Sequence, residues 1–136
     1  MRAVLDTNVL ISGLIWRGNA YQCVQAAEAG LYEFVAAEEI FVELYEKLIG
    51  KFGNTSEEAR ASIEGLRKLA MLVSLVGQSG WVRDDPDDDK FVEAAIVGNA
   101  DVIVSGDHHL LQLRSLQGID VLSPRQFLDR LATTTD

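Results

Sequence analysis

At 136 residues the chain fits one domain, long enough to bury roughly 65–70% of the surface its unfolded form exposes. Its single cysteine, Cys23, lies among Val24, Ala26 and Ala27, which excludes an internal disulfide framework and reads as a small buried thiol suited to a reducing cytoplasm. The net charge of −9 argues against tight nonspecific phosphate binding, but carboxylates gathered around a divalent metal would give the same sign, so a nucleic-acid substrate is not excluded.

One arginine and three apolar residues precede Asp6, too few for a signal-peptide core, and no run approaches a membrane span. Ala3-Val4-Leu5 reads as a strand buried on both faces that stops on a carboxylate. In open parallel sheets ligands bind outside the carboxyl ends of the strands, so Asp6 is a candidate site residue. It is equally a candidate cap, as is Thr7, for the short helix expected over residues 9–15. Gly18-Asn19 then punctuates, an alanine-rich helix over 20–29 stops at Gly30, and residues 32–36 form the second strand.

Glu38-Glu39 opens a helix whose apolar face is Ile40, Phe41, Leu44, Leu48 and Ile49, ending at Gly50 or Gly53. Thr55-Ser56-Glu57-Glu58 has capping-box spacing and starts a further helix to about Leu69. A third apolar run over 71–76 ends in the turn Gly77-Gln78-Ser79-Gly80. In residues 84–89 all but Pro86 are acidic, a pattern that fits either a solvated loop or a metal-binding cluster ahead of a helix. That helix has Phe91, Val92, Ala94, Ala95 and Ile96 as its body and Gly98-Asn99 as its stop. The β-branched strand Val102-Ile103-Val104 ends Ser105-Gly106-Asp107, repeating the opening pattern of a buried run that stops on an acid. A brief helix over 109–113, a strand over 119–122 and a helix capped by Ser123 with Pro124 in its first position complete the chain.

Strands alternating with helices predict an α/β fold of three α/β/α layers, with a central parallel sheet of four to five strands and right-handed crossovers. Residues 1–132 form a single domain in this reading and 133–136 a frayed tail. Parallel strands present their carboxyl ends to one edge, so Asp6 and Asp107 meet there if their strands are neighbours. The 84–89 acids, at a loop-to-helix junction, reach the same edge. Carboxylates gathered without a partner raise one another's pKa and cost stability, so the arrangement makes most sense around a cation. Oxygen-only ligands favour Mg²⁺ or Mn²⁺, with one or two ions held.

The stretch from Val4-Leu5-Asp6-Thr7-Asn8 through Ser12 resembles the opening of PIN domains, and Asp85-Pro86-Asp87-Asp88-Asp89-Lys90-Phe91 is similar to the third-acid motif of a bacterial PIN subgroup. Val104-Ser105-Gly106-Asp107 is similar to the fourth-acid motif, and the likeness extends to the ending Ser123-Pro124-Arg125-Gln126-Phe127-Leu128. This resemblance implies a metal-dependent ribonuclease, of a subgroup described as the toxins of VapC-like toxin–antitoxin pairs. It also implies a homodimer and a separate antitoxin. It makes Asp6 the first acid with Asn8 as its polar companion, and Glu43 the second. The third is Asp88, with Asp89 the fallback, and the fourth is Asp107 with Ser105 beside it. Periodicity alone does not select Glu43 over Glu46, and a surface pair from Glu43 to Lys47, worth about 0.3–0.5 kcal/mol, is the plainer reading.

Asp84, Asp85 and Asp87 are then caps or solvated residues, and His108-His109 starts a surface helix rather than supplying ligands. Trp16 and Trp81, like Met71 and the other aromatics, are expected in the core, although either tryptophan could stack on a base. Arg17, Lys47, Lys51, Arg83 and Lys90 are the basic candidates for RNA contact and form no clear patch. Two rivals stand beside the nuclease: a PIN-like module that binds RNA or protein without cutting, which the presence of all four acids disfavours, and an aspartate-based phosphatase. The phosphatase would use Asp6 as nucleophile but lacks a second Asp two positions on, where Asn8 stands.

Overall fold

The structure, a computed structural model, describes residues 1–77 and 86–134. The chain runs β1 (Arg2–Leu5), α1 (Thr7–Ile15), α2 (Asn19–Glu28), β2 (Glu33–Ala36), α3 (Glu38–Gly50), α4 (Ser56–Leu69) and β3 (Ala70–Leu72). A 3-10 turn (Pro86–Asp88) leads into α5 (Asp89–Val97), followed by β4 (Val102–Val104), α6 (His108–Leu111), β5 (Ser115–Leu116), β6 (Ile119–Leu122) and α7 (Pro124–Thr134).

The strands form one sheet in the order β3-β2-β1-β4-β6-β5, parallel except for the β5–β6 hairpin at the edge. Val4 lies opposite Val35 on one side and Ile103 on the other. All three apolar residues of β1 and of β4 are buried. Because successive strand side chains point to opposite faces, this requires helical cover on both, the layered α/β arrangement expected. α5 packs on β1, β2 and β4 through Phe91, Val92, Ala94 and Ala95, while α1 packs on α2 and α3. Gly13 sets the α1–α2 spacing, since a Cβ there would lie 2.9 Å from Val24 Cγ2. Tyr32 meets Phe127 of α7 edge to face at 4.8 Å and donates to the Cys23 carbonyl at 2.7 Å, so Cys23 is buried as expected.

Several expectations need correction. The third strand is three residues rather than six and lies at the sheet edge, so Met71 is only half-buried and Leu72 is exposed. A sixth, two-residue strand precedes β6, reached through turns in which Arg114 and Gln117 take φ of 56° and 55°. α1 begins at Thr7 rather than Val9, and α6 spans His108–Leu111 rather than 109–113. Trp16, expected in the core, is 57% exposed, and Phe52 is 40% exposed. Both lie past helix ends, where the chain turns over the surface and no layer covers it. The capping box at Thr55 and Glu58 forms as expected. The turn over residues 78–80, Trp81, Arg83, Asp84 and Asp85 lie outside the described residues. Among the described residues no helix is long and apolar enough to cross a membrane.

Candidate active site

Two strand ends build the centre of the site. β1 and β4 are neighbours, so Asp6 and Asp107 leave the sheet at the same edge. The Asp6 backbone N–H donates to the Val104 carbonyl at 3.0 Å, extending the pairing one residue beyond the strand. Asp6 is then the N-cap of α1, its Oδ1 accepting from the Val9 N–H at 2.8 Å. Asp6 therefore caps α1 while standing at the strand end, so the two placements that the sequence left as alternatives are compatible. Asp107 repeats the design: it caps α6 and accepts from the His109 N–H at 2.7 Å.

Ser105 joins the two acids. Its buried hydroxyl donates to Asp6 Oδ2 and accepts from the Asp107 N–H at 2.8 Å. Burial pushes the Asp6 carboxyl up to about 6. The bonds from Ser105 and Val9 oppose that rise, the Asp107 carboxylate adds to it, and Lys47 lowers it again.

Glu43 joins from α3. The Thr7 hydroxyl, buried directly after Asp6, donates to Glu43 Oε1. Lys47 stands 3.7 Å from Glu43 Oε2, so the i to i+4 pair expected on the helix surface does form. Lys90, the second residue of α5, lies 3.2 Å from Glu43 Oε1. Asp6 and Thr7 thus sit between two contact chains, one running through Ser105 to Asp107 and the other through Glu43 to Lys90. Together they tie β1, β4, α3 and α5 to one edge.

Asp88 closes the 3-10 turn and Asp89 opens α5, and both are buried at the helix end that carries Lys90, whereas Asp87 is exposed. Asn8 is exposed and lines an open cavity of about 280 Å³ with Val9, Ser12, Ala20, Gly106 and Pro124, directly beside the Asp6–Asp107 edge. His108 is exposed and His109 half-buried at the start of α6, as expected for a surface helix. Burial pushes the Cys23 thiol up to about 12, so it supplies no thiolate nucleophile.

Sequence reasoning did not single out two side-chain contacts on these elements. Thr7 was read only as a cap. Glu93 on α5 is almost fully buried and accepts from the Val76 and Gly77 N–H groups at 2.6 and 3.0 Å. An acid between Val92 and Ala94 in the apolar body of a helix was the available signal.

As they stand, no three His, Cys, Asp or Glu side chains among the described residues are grouped closely enough to enclose a metal. The donor chemistry nevertheless fits a hard divalent cation. The candidate ligands are all carboxylates, the buried Asp6 feels the charge of Asp107, and Glu43 already draws two ammonium groups.

The sequence matches the family model of the PIN domain over residues 2–109. The chain belongs to the PIN-domain family. PIN domains are in general nucleases that use divalent metal ions. Among solved structures, the PIN fold seen here is similar to VapBC2 from Rickettsia felis bound to a DNA fragment from its promoter, with a TM-score of 0.63 and 12% identity over 89% of this chain and 97% of that one. It is also similar to PAE2754 from Pyrobaculum aerophilum, with a TM-score of 0.63 and 13% identity over 98% of this chain and 91% of that one. No curated protein matches the sequence.

Proposed function

We propose that this PIN domain is a metal-dependent endoribonuclease that hydrolyses RNA phosphodiester bonds and serves as the toxin of a type II toxin–antitoxin pair. The observation that carries the reading is the pair of strand-end carboxylates, Asp6 and Asp107, joined through Ser105 with Glu43 one contact away through Thr7. The fold likeness to the VapBC2 complex supports the toxin role and an antitoxin partner.

Asp6, Glu43, Asp88 and Asp107 would hold one or two Mg²⁺ or Mn²⁺ ions, with Asp89 the alternative to Asp88. A bound divalent ion supplies a water of lowered pKa and charge stabilisation for the crowded phosphate oxygens. The chain's own residues prepare that place. Ser105 fixes the direction of Asp6 and the backbone of Asp107 together, and Thr7 aims Glu43. Lys47 and Lys90 pair with Glu43 and are positioned to meet an incoming phosphate. Asn8 and Ser12 line the adjoining cavity, where the substrate backbone can rest. The protein acts as a homodimer in the cytoplasm in this reading.

The test is cleavage of single-stranded and structured RNA with Mg²⁺, Mn²⁺ or EDTA, run beside Asp6→Asn and Asp107→Asn. Metal-dependent cleavage that both variants lose supports the reading. Undiminished cleavage in EDTA or in either variant overturns it. A small neighbouring gene for a DNA-binding protein that forms a complex with this chain and blocks cleavage supports the toxin role.

A further inference from the structure

The surface farthest along α1 and α3 from the acids carries a pair of exposed rings. Trp16 caps the end of α1 and Phe52 follows the end of α3, their centroids 6.3 Å apart and their planes 80° apart. More than half of Trp16 remains open to solvent. Cations flank the pair on both chain segments. Arg17 follows Trp16, exposed, with its guanidinium 5.1 Å from the centre of the Tyr21 ring. Lys51, also exposed, precedes Phe52 as the cap residue of α3.

These residues connect to the acids. Glu43, Lys47 and Lys51 recur every fourth residue, so they line one face of α3. At about 1.5 Å of rise per residue, Lys51 lies roughly 12 Å along the axis from Glu43. α1 covers a comparable length, about 15 Å from its cap Asp6 to its cap Trp16, and the two helices pack together. One end of the α1–α3 pair therefore carries the carboxylates and the other the aromatic pair, with Lys47 and Lys51 between. In a chain of net charge −9, a line of cations leading from the acids to exposed rings is the arrangement that tracks a phosphate backbone and stacks a base. Protein interfaces share the enrichment in aromatics and arginine but are depleted in lysine, and the lysines leading to this pair favour the phosphate backbone.

We propose that Trp16, set against Phe52 and flanked by Arg17 and Lys51, is a base-stacking platform for single-stranded RNA, several nucleotides from the bond that is cut. The inference rests on the ribonuclease reading for its substrate. Its binding readout is nevertheless independent of cleavage.

The test uses the full chain carrying Asp107→Asn with Mg²⁺, so that a single-stranded RNA of about 12 nucleotides stays intact. Anisotropy of labelled RNA is expected to show Trp16→Ala weakening binding roughly tenfold, the scale of losing one stacked base. Lys51→Gln is expected to reduce the slope of log affinity against log salt by about 0.7, one phosphate contact to a single strand. With Trp81→Phe added, Trp16 is the only tryptophan, and its fluorescence is expected to quench as the RNA saturates. Unchanged affinity in Trp16→Ala overturns the proposal whether or not the Trp81→Phe form folds. Unchanged RNA affinity together with altered sedimentation of Trp16→Ala assigns the surface to a second copy of this chain and likewise overturns it. If the protein with all four acids cuts in a metal-dependent way while Trp16→Ala binds normally, the platform alone falls. If it does not cut yet Trp16→Ala loses affinity, the platform stands and the nuclease reading falls.

Discussion

The hydroxyl of Ser105, one residue past β4, donates to the carboxylate of Asp6, one residue past β1. That bond holds the Asp6 pKa down against burial, and the same oxygen fixes the Asp107 backbone. Ser105→Ala is therefore expected to raise the Asp6 pKa further above about 6 and to move the acid limb of the activity profile toward neutral pH. Metal affinity or turnover should fall by about 10- to 100-fold, as for other residues that orient a ligand. Ser105→Thr, which keeps the hydroxyl, should restore most of it. A pH–rate profile of the three forms decides, and an unmoved acid limb in the alanine form would remove Ser105 from this role.

The Asp6 carboxyl also makes stability depend on pH. Its pKa goes from 3.8 to about 6 on folding, so the folded state disfavours the charged form. Below the unfolded value both states are protonated and there is no penalty. As pH rises from about 4 through 6 the unfolded chain ionises first, and the folded protein loses stability on the order of 2–3 kcal/mol. Asp6→Asn keeps an acceptor for the Val9 N–H and removes the charge. In EDTA at pH 7.5 the variant is expected to be more stable than the parent, with the advantage gone near pH 4. Urea denaturation at both pH values tests this, and equal stability at pH 7.5 would contradict it. Adding Mg²⁺ or Mn²⁺ should stabilise the parent and leave the variant nearly unmoved.

How far the site can be read from sequence follows from how each residue is placed. The shared edge of Asp6 and Asp107 was legible because each ends a fully apolar run, and the sheet order then makes those runs neighbours. Glu43 was not, since a half-buried acid on an amphipathic helix resembles its neighbours, and only the motif match selected it. Asp88 and Asp89 are adjacent and both buried, so neither reading nor burial separates them. β5 escaped because two residues carry no period, although its hairpin turn, Gln117-Gly118 with φ of 55° and 80°, holds a glycine signal that the reading passed over. Trp16 was misplaced because tryptophan is usually buried, and nothing local says that a helix end lacks cover.

Lys90 poses a question of sign. Its ammonium stands at Glu43, where a divalent ion held by the same carboxylate would compete with it. The pair is partly solvated, so its contribution is about 0.5–1 kcal/mol. Lys90→Met is expected to tighten Mn²⁺ binding by about two- to fivefold while lowering turnover, because the phosphate loses a cation. Mn²⁺ titration followed by electron paramagnetic resonance measures the first effect. Weaker Mn²⁺ binding in Lys90→Met would show that the lysine places Glu43 instead of competing for it.

Glu93 tests how the acid-bearing helix is fixed. It is 2% exposed, and its two oxygens accept from consecutive backbone N–H groups, Val76 and Gly77, on the chain leaving β3. One end of the connection to Pro86 is thus pinned on α5, and the other end runs directly into that helix. Hydrogen bonds to a charged group contribute about 1.5–3 kcal/mol each, while removing the carboxylate also relieves the cost of burying it. Glu93→Ala is therefore expected to destabilise the fold by about 2–4 kcal/mol, the net of these opposing effects and the space left behind. Glu93→Gln should cost less: its amide NH₂ would face one of the two donors, but the shape and the other bond survive. Urea denaturation gives the magnitudes, and hydrogen exchange should speed up at Val76 and Gly77 before it does so in β1 or β4. If Glu93→Ala unfolds at the same urea concentration as the parent, the two backbone bonds do not anchor α5.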